Sequence, residues 1–265
     1  MPNDITKVKR PTSTDQALLV VKDLRKKYGD FEAVKGVSFE VKAGEVFGIL
    51  GPNGAGKTTT LEMIEGMRPI DKGSATLDGV SVAKHPFQIK EMIGVQLQSS
   101  SFFDNLSLTE ILFLFGDLYG QSAHPDELLK EVNLQEKAKA RVKNLSGGQK
   151  QRFSIAAALV NNPIAIFLDE PTTGLDPQAR RNLWDLVQQI QAKGTTVILT
   201  THYMEEAQVL CNRVAIMDAG KIIALDTPDR LIADLLGRGF EPKTNVAKAT
   251  LEDVFIDLTG KDLRE

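Results

Sequence analysis

The sequence predicts an α/β fold: a mostly parallel sheet, an antiparallel β-subdomain on its N-terminal side and an α-helical subdomain inserted between its strands. Three observations carry that expectation. Apolar runs at residues 46–50, 164–168 and 195–199 read as strands covered on both faces, the habit of parallel sheets. Strand patterns and a hairpin signal occupy the stretch ahead of residue 86. From residue 99 to about 160 the apolar spacing turns helical.

Taken in order, residues 1–16 are polar and mixed in charge, lack the apolar core of a secretory signal, and read as a flexible tail. Residues 18–21 and 37–41 read as strands on either side of the polar stretch 26–30. Tyr28 in that stretch is either a half-buried strand-end aromatic or a ring that stacks on an adenine; by itself it favours packing. The run 46–50 then enters Gly51-Pro52-Asn53-Gly54-Ala55-Gly56-Lys57-Thr58-Thr59, followed by a helix-compatible segment closed by Gly66. This is G-x-x-x-x-G-K-[ST] in its strand–loop–helix setting, the mark of a P-loop NTPase core. Glycines let backbone N–H groups turn inward as an anion nest, and the helix start adds its own free N–H groups and dipole end. Lys57 reaches β- and γ-phosphates, and Thr58 offers a hydroxyl to Mg²⁺. The stretch therefore indicates a nucleoside triphosphate.

Residues 75–77 and 80–82 flank Asp78-Gly79, a two-residue hairpin signal. Residues 93–97 form the next strand, and Gln96 and Gln98, two apart, face the same side. A glutamine there either contacts Mg²⁺ or water in a phosphate site or is an ordinary polar edge residue, and the residues leave both open. Ser107 to Glu110 has capping-box spacing, and 111–115 is apolar all round. Core packing is the default reading of that run; docking to another protein is the sharper one. Residues 126–141 form a charged amphipathic stretch that reads as a solvated helix face.

Leu145-Ser146-Gly147-Gly148-Gln149 opens a helix with Ser146 as N-cap. Two adjacent glycines just inside a helix disfavour it, which points to bare N–H groups at a second phosphate-binding helix start. The strand 164–168 ends in Asp169-Glu170, at the carboxyl end where α/β sheets bind ligands. Asp169 there suits Mg²⁺, and Glu170 suits polarising the attacking water. Asp176 caps the next helix with Pro177 at its first position, and Gly194 stops it. The strand 195–199 leads to Thr200-Thr201-His202 and sets His202 at the same sheet edge. Segments 214–217 and 221–224 close the sheet, and amphipathic helices starting at Thr227 and Thr250 read as core cover.

With 265 residues, 42% of them hydrophobic, the chain can bury a sizeable core. A net charge of −3 gives no global pull toward nucleic acid or an anionic membrane. The single cysteine, Cys211, excludes an intramolecular disulfide and fits a reducing compartment. No apolar run approaches the roughly 20 residues of a membrane span, so a membrane role has to come through a partner.

The motifs, in this order and over residues 18–236, resemble the nucleotide-binding subunit of ATP-binding cassette (ABC) transporters. The loop 51–59 matches Walker A, 145–149 the signature, and 164–169 with Glu170 the Walker B strand and catalytic glutamate. Leu175-Asp176 matches the loop that crosses the dimer, and His202 the switch histidine. Tyr28 matches the adenine-stacking aromatic, which turns its reading from packing to function. The glutamine-loop residue is assigned by position to Gln98, although Leu97 stands where the family often has proline, and Gln96 stays open. The resemblance implies a catalytic set of Lys57, Gln98, Glu170 and His202, with Mg²⁺ held by Thr58, Gln98 and Asp169. It implies ATP shared between 51–59 of one copy and Ser146–Gln149 with Asp176 of a second, a homodimer being expected. It further implies a polytopic membrane permease as partner, docked on the face around 98–119, and a cytoplasmic place on the inner face of the membrane. No nucleic acid is expected. Domain boundaries follow as a tail 1–16, a cassette 17–237 with its helical subdomain at about 88–160, and a helical extension 238–265. The ending 250–255 resembles the bacterial exporters for drugs, sodium or polysaccharide. The alternative is a soluble cassette ATPase acting on ribosomes or DNA. A single cassette, no heptad run and one cysteine weigh against it.

Overall fold

The central strands send alternate side chains into two different cores, and this alternation arranges the rest of the chain. The computed structural model describes residues 17–97, 102–240 and 251–259. In β3 (Val46–Leu50), Val46 and Leu50 join one hydrophobic cluster while Phe47 and Ile49 join the other. In β7 (Ala165–Asp169), Ile166 and Leu168 join the first cluster, and Ala165 and Phe167 the second. A strand with no solvated face has to be apolar at every position, which is why these segments read as unbroken runs. They belong to a six-stranded sheet ordered β10-β9-β3-β8-β7-β6, where β6 is Ile93–Gln96, β8 is Thr196–Thr201, β9 is Arg213–Asp218 and β10 is Lys221–Asp226. Every neighbouring pair in it is parallel except β9 and β10.

The second sheet is antiparallel, with β1 (Ala17–Tyr28), β2 (Phe31–Lys42), β4 (Lys72–Leu77) and β5 (Val80–Ser81) in the order β2-β1-β4-β5. Its first two strands are longer than the pattern 18–21 and 37–41 predicts. Pairing continues through the polar residues as far as Tyr28 opposite Phe31, and the turn between the strands shrinks to Gly29-Asp30. Asp78 and Gly79 both take positive φ, 47° and 76°, as a tight hairpin turn requires. Phe39 of β2 stacks on Phe47 of β3, ring centroids 5.1 Å apart, and ties the sheets together. The cluster on this side also holds residues of α1 (Lys57–Ile64) and α2 (Pro86–Met92).

The opposite face carries α3 (Leu108–Leu118), α4 (Pro125–Glu131), α5 (Gly147–Ala158), α6 (Pro177–Ala192), α7 (Met204–Leu210), α8 (Pro228–Gly237) and α9 (Leu251–Thr259). Within 88–160, β6 lies at the edge of the parallel sheet, and the first described helix after it is α3. The single charged helix expected over 126–141 is not formed. α4 stops at Glu131 and Asn133 turns left-handed with φ 54°, leaving only 3₁₀ turns before α5. The segment buries Leu129, Val132 and Leu134, so it supplies core as well as a solvated face. α3 has the expected Ser107–Glu110 capping box and two unlike faces: Leu108, Ile111 and Leu112 are buried, while Phe113 and Leu118 are 51% and 74% exposed. Gly94 lets α5 rest on β6, since a Cβ there would lie 1.9 Å from the Ala158 carbonyl oxygen. α9 buries Leu251, Val254 and Phe255 in the helical cluster, so it covers the core.

Candidate nucleotide site

Strand order assembles the site. β3, β8 and β7 are adjacent, with Leu50 beside Thr201 and Asp169 beside Thr200. Gly51, Glu170 and His202 therefore leave the sheet side by side at its carboxyl edge. Two glycines of the loop are required sterically. A Cβ on Gly51 would meet the Met217 carbonyl oxygen at 2.1 Å, and Gly56, at φ 99°, lies against the Ala33 carbonyl. Gly54 also has positive φ but faces open space. Thr58, Asn53 and Gly54 are exposed at the loop, Pro52 and Thr59 partly so, and Ala55 is buried beneath it.

Lys57 is only 4% exposed. Its Nζ donates to the carbonyl oxygens of Gly51 at 2.9 Å and Pro52 at 3.1 Å, and lies 3.3 Å from Glu170 Oε1. Burial lowers its pKa, against the opposing pull of Glu170 and Asp169. The Thr58 hydroxyl donates to Asp169, 3.1 and 3.3 Å from its two oxygens. Thr200 links the acidic pair: its hydroxyl donates to Asp169 Oδ1 at 2.5 Å and accepts the Glu170 N–H at 3.0 Å. Glu170 sits at φ 48°, a left-handed conformation that costs a non-glycine residue energy and is typical of functional positions. Its Oε2 accepts from Thr173 Oγ1 at 3.2 Å and lies 3.2 Å from His202 Nδ1. Burial alone would raise the Glu170 pKa, but Lys57 and His202 outweigh it and hold the carboxyl below its ordinary value. The result is an ionised carboxylate beside a phosphate loop, chemically fit to orient and polarise water.

Other predicted residues lie apart from this cluster. At the start of α5, the Ser146 hydroxyl accepts the Gln149 N–H at 3.3 Å, and the Gln149 side chain accepts the Ser146 N–H at 2.9 Å. The N–H groups of Gly147 and Gly148 are left without partners inside the helix. Asp176 is exposed and caps α6 by accepting from Ala179 at 2.8 Å. A Cβ on Gly148 would touch Ala179 at 3.0 Å, so these two helix starts are neighbours. Tyr28 ends β1 with 41% of its surface exposed and the Arg68 guanidinium 5.3 Å from its ring centroid. Gln98 lies outside the described residues. Gln96 is buried, donates to the Leu97 carbonyl at 2.5 Å and leaves its Oε1 unpaired. Sequence reasoning missed Thr200 and Thr173, because neither stands out until Asp169 and Glu170 are placed beside them. It also missed Glu65, buried at the end of α1 with its carboxyl pushed up to about 8 by burial, then by Asp169 and Glu62.

The family model described as ABC transporter matches residues 34–173. The chain is 41% identical over 225 residues to the linearmycin resistance ATP-binding protein LnrL of Bacillus subtilis, covering 83% of this chain and 72% of that protein. It is 42% identical over 227 residues to the Nod factor export ATP-binding protein I of Paraburkholderia xenovorans, covering 84% of this chain and 75% of that one. A solved ATP-binding subunit of an ABC transporter superposes with a TM-score of 0.78 at 29% identity, over 91% of this chain and 99% of that chain. A dimeric ATP-binding cassette in a post-hydrolysis state, bound to ADP and Pi, superposes with a TM-score of 0.72 at 28% identity, over 79% of this chain and 98% of that chain. Among the described residues no helix is long and apolar enough to cross a membrane. On motif order, site geometry and these likenesses together, the chain belongs to the ABC transporter family, as its ATP-binding, ATP-hydrolysing subunit.

Proposed function

We propose that ATP lies with its triphosphate in the loop 51–59 and that Glu170 is the general base of its hydrolysis. One observation carries this reading: the Glu170 carboxylate is 3.3 Å from the loop lysine and 3.2 Å from His202, at a strand end adjoining the loop. The Thr58 hydroxyl and Asp169 carboxylate are hard oxygen donors already within 3.3 Å of each other, a pair that suits Mg²⁺. Among the described residues no three His, Cys, Asp or Glu side chains gather into a metal cage. That fits an ion that takes few protein ligands and several from phosphate and water. Mg²⁺ when bound neutralises phosphate charge; Gln98 is assigned to it by position. Lys57 exchanges its carbonyl and Glu170 contacts for phosphate oxygens, which frees Glu170 for water. His202 holds Glu170 in place, and Tyr28 supplies the adenine platform.

A second copy completes the site. Ser146, Gly147, Gly148, Gln149 and Asp176 lie together on neighbouring helix starts, most of them exposed, and none is joined by a hydrogen bond to the loop 51–59 among the described residues. Their free N–H groups suit the phosphates of a partner chain's ATP. A solved relative is itself a dimer. An apolar cavity of about 360 Å³, lined by Met67, Val95, Phe102, Phe115 and Tyr119, fits a helix end of a membrane permease. That contact would hold the chain on the inner face of the membrane. Export is the direction named for one relative, the Nod factor export ATP-binding protein I, and it is the direction proposed for this chain. We take residues 17–237 as the cassette and the stretch after them, whose described helix is α9 (Leu251–Thr259), as an extension of it.

Glu170→Gln tests the base. It keeps ATP affinity and slows turnover ~10²–10⁴-fold, the usual loss on removing a general base. A wild-type hydrolysis rate in that variant removes Glu170 from the role.

A further inference from the structure

Behind His202 lies a carboxyl group that the reaction does not touch. Glu206 of α7 is 0% exposed, and its Oε1 accepts the indole N–H of Trp184 of α6 at 3.2 Å. Its Oε2, the Thr172 hydroxyl and the Arg180 Nε are all buried without a hydrogen-bond partner. These groups arrive from separate pieces of the site. Thr172 belongs to the loop that follows Glu170. Arg180 and Trp184 belong to the helix that Asp176 caps. Glu206 is on the helix that opens just after His202. The segment around His202 is bound to the same helix by a second route. The Arg180 guanidinium lies 4.5 Å from the Tyr203 ring centroid, that ring is 4.2 Å from the His202 ring, and the Tyr203 N–H donates to the Thr201 hydroxyl at 2.9 Å.

Burying a carboxyl with one of its oxygens unpaired is unfavourable, and an apolar residue of similar size would fill the space at lower cost. A role in geometry is the economical reason to keep it. Burial chiefly raises the Glu206 pKa, opposed by Thr201, Thr172, Trp184 and Arg180, and the net shift is upward. A neutral amide is therefore the replacement that disturbs the contact least.

We propose that Glu206 is a positioning residue that pins the Asp176 helix to the His202 segment, so that His202 meets Glu170 and the partner-facing loop moves with it. This rests on the roles given above to His202 and Glu170. It assigns Glu206 no contact with nucleotide.

Steady-state ATP hydrolysis by the full-length chain tests it. Glu206→Leu lowers kcat by about ten- to a hundredfold, the scale of an ångström-sized misplacement, and leaves KM for ATP within about twofold. Glu206→Gln restores kcat to within about threefold of wild type, because its amide oxygen still accepts from Trp184. Trp184→Phe, which removes the donor and keeps the ring, lowers kcat at constant KM as well. It serves as the reading if Glu206→Leu does not fold. Wild-type kcat in Glu206→Leu, or in Trp184→Phe where that variant is the reading, overturns the proposal. So does a Gln variant as slow as the Leu variant. His202→Ala, run in parallel, separates the two levels: if it keeps wild-type kcat the site reading itself fails, whatever Glu206 does.

Discussion

Glu65 shows how folding alters a single side chain. It ends α1 with 2% of its surface exposed, and its carboxyl moves from 4.5 to about 8. The folded chain therefore holds a proton there that the unfolded chain releases near 4.5. Across that window the unfolded state binds fewer protons, so stability falls as pH rises, by about 1.4 kcal/mol per unit, and levels off above the folded value. Glu65→Gln removes the penalty. Its stabilisation over wild type grows between about pH 5 and pH 8 and is constant beyond. Urea midpoints across that range are the check; a gap that stays constant from pH 5 upward means that Glu65 ionises as freely folded as unfolded.

At the scale of elements, the same chain contains helices whose work differs although their apolar spacing looks alike. α5 is held against β6 by the close approach at Gly94, which fixes where its glycine-rich start emerges. α9 packs on α7 and α8, and its Phe255 is 1% exposed. Truncating a buried phenylalanine costs about 3–5 kcal/mol, so Phe255→Ala lowers the melting temperature by roughly 10 °C. ATP affinity stays at the wild-type value, because α9 contributes nothing to the phosphate loop. Scanning fluorimetry with and without nucleotide measures both; a melting temperature within about 2 °C of wild type would show that α9 is an appendage.

For the whole molecule, the question is what one chain lacks. Its loop 51–59 and its helix start at Ser146 are each suited to phosphate, and among the described residues no hydrogen bond joins them. Ser146→Arg leaves ATP binding by the monomer intact and abolishes hydrolysis, by blocking the contribution to a partner's nucleotide. Lys57→Ala disables the loop and leaves the helix start sound. An equal mixture of the two variants, each inactive alone, recovers hydrolysis through the one composite site that is whole. No recovery on mixing, with both variants folded and dimer-competent, counts against a shared site.

Features governed by neighbours in the chain were legible beforehand. The glycines and lysine of 51–57, the caps at Ser107, Ser146 and Asp176, the Asp78-Gly79 turn and the doubly buried strands each follow from local backbone sterics, capping or strand parity. The amphipathic helix expected over 126–141 is cut short: α4 ends at Glu131, Asn133 turns left-handed, and Val132 and Leu134 reach the core from outside the helix. Only the tertiary structure brought Lys57 and His202 each within 3.3 Å of Glu170, since β3, β7 and β8 are far apart in sequence and adjacent in the sheet. It alone chose which face of α3 stays exposed, made Thr200 the bridge between two acids, and buried Glu65 and Glu206. Composition and order determined the chemistry available to this protein. Burial, charge proximity and strand adjacency depend on atoms from remote segments, so they decided which residues share that chemistry.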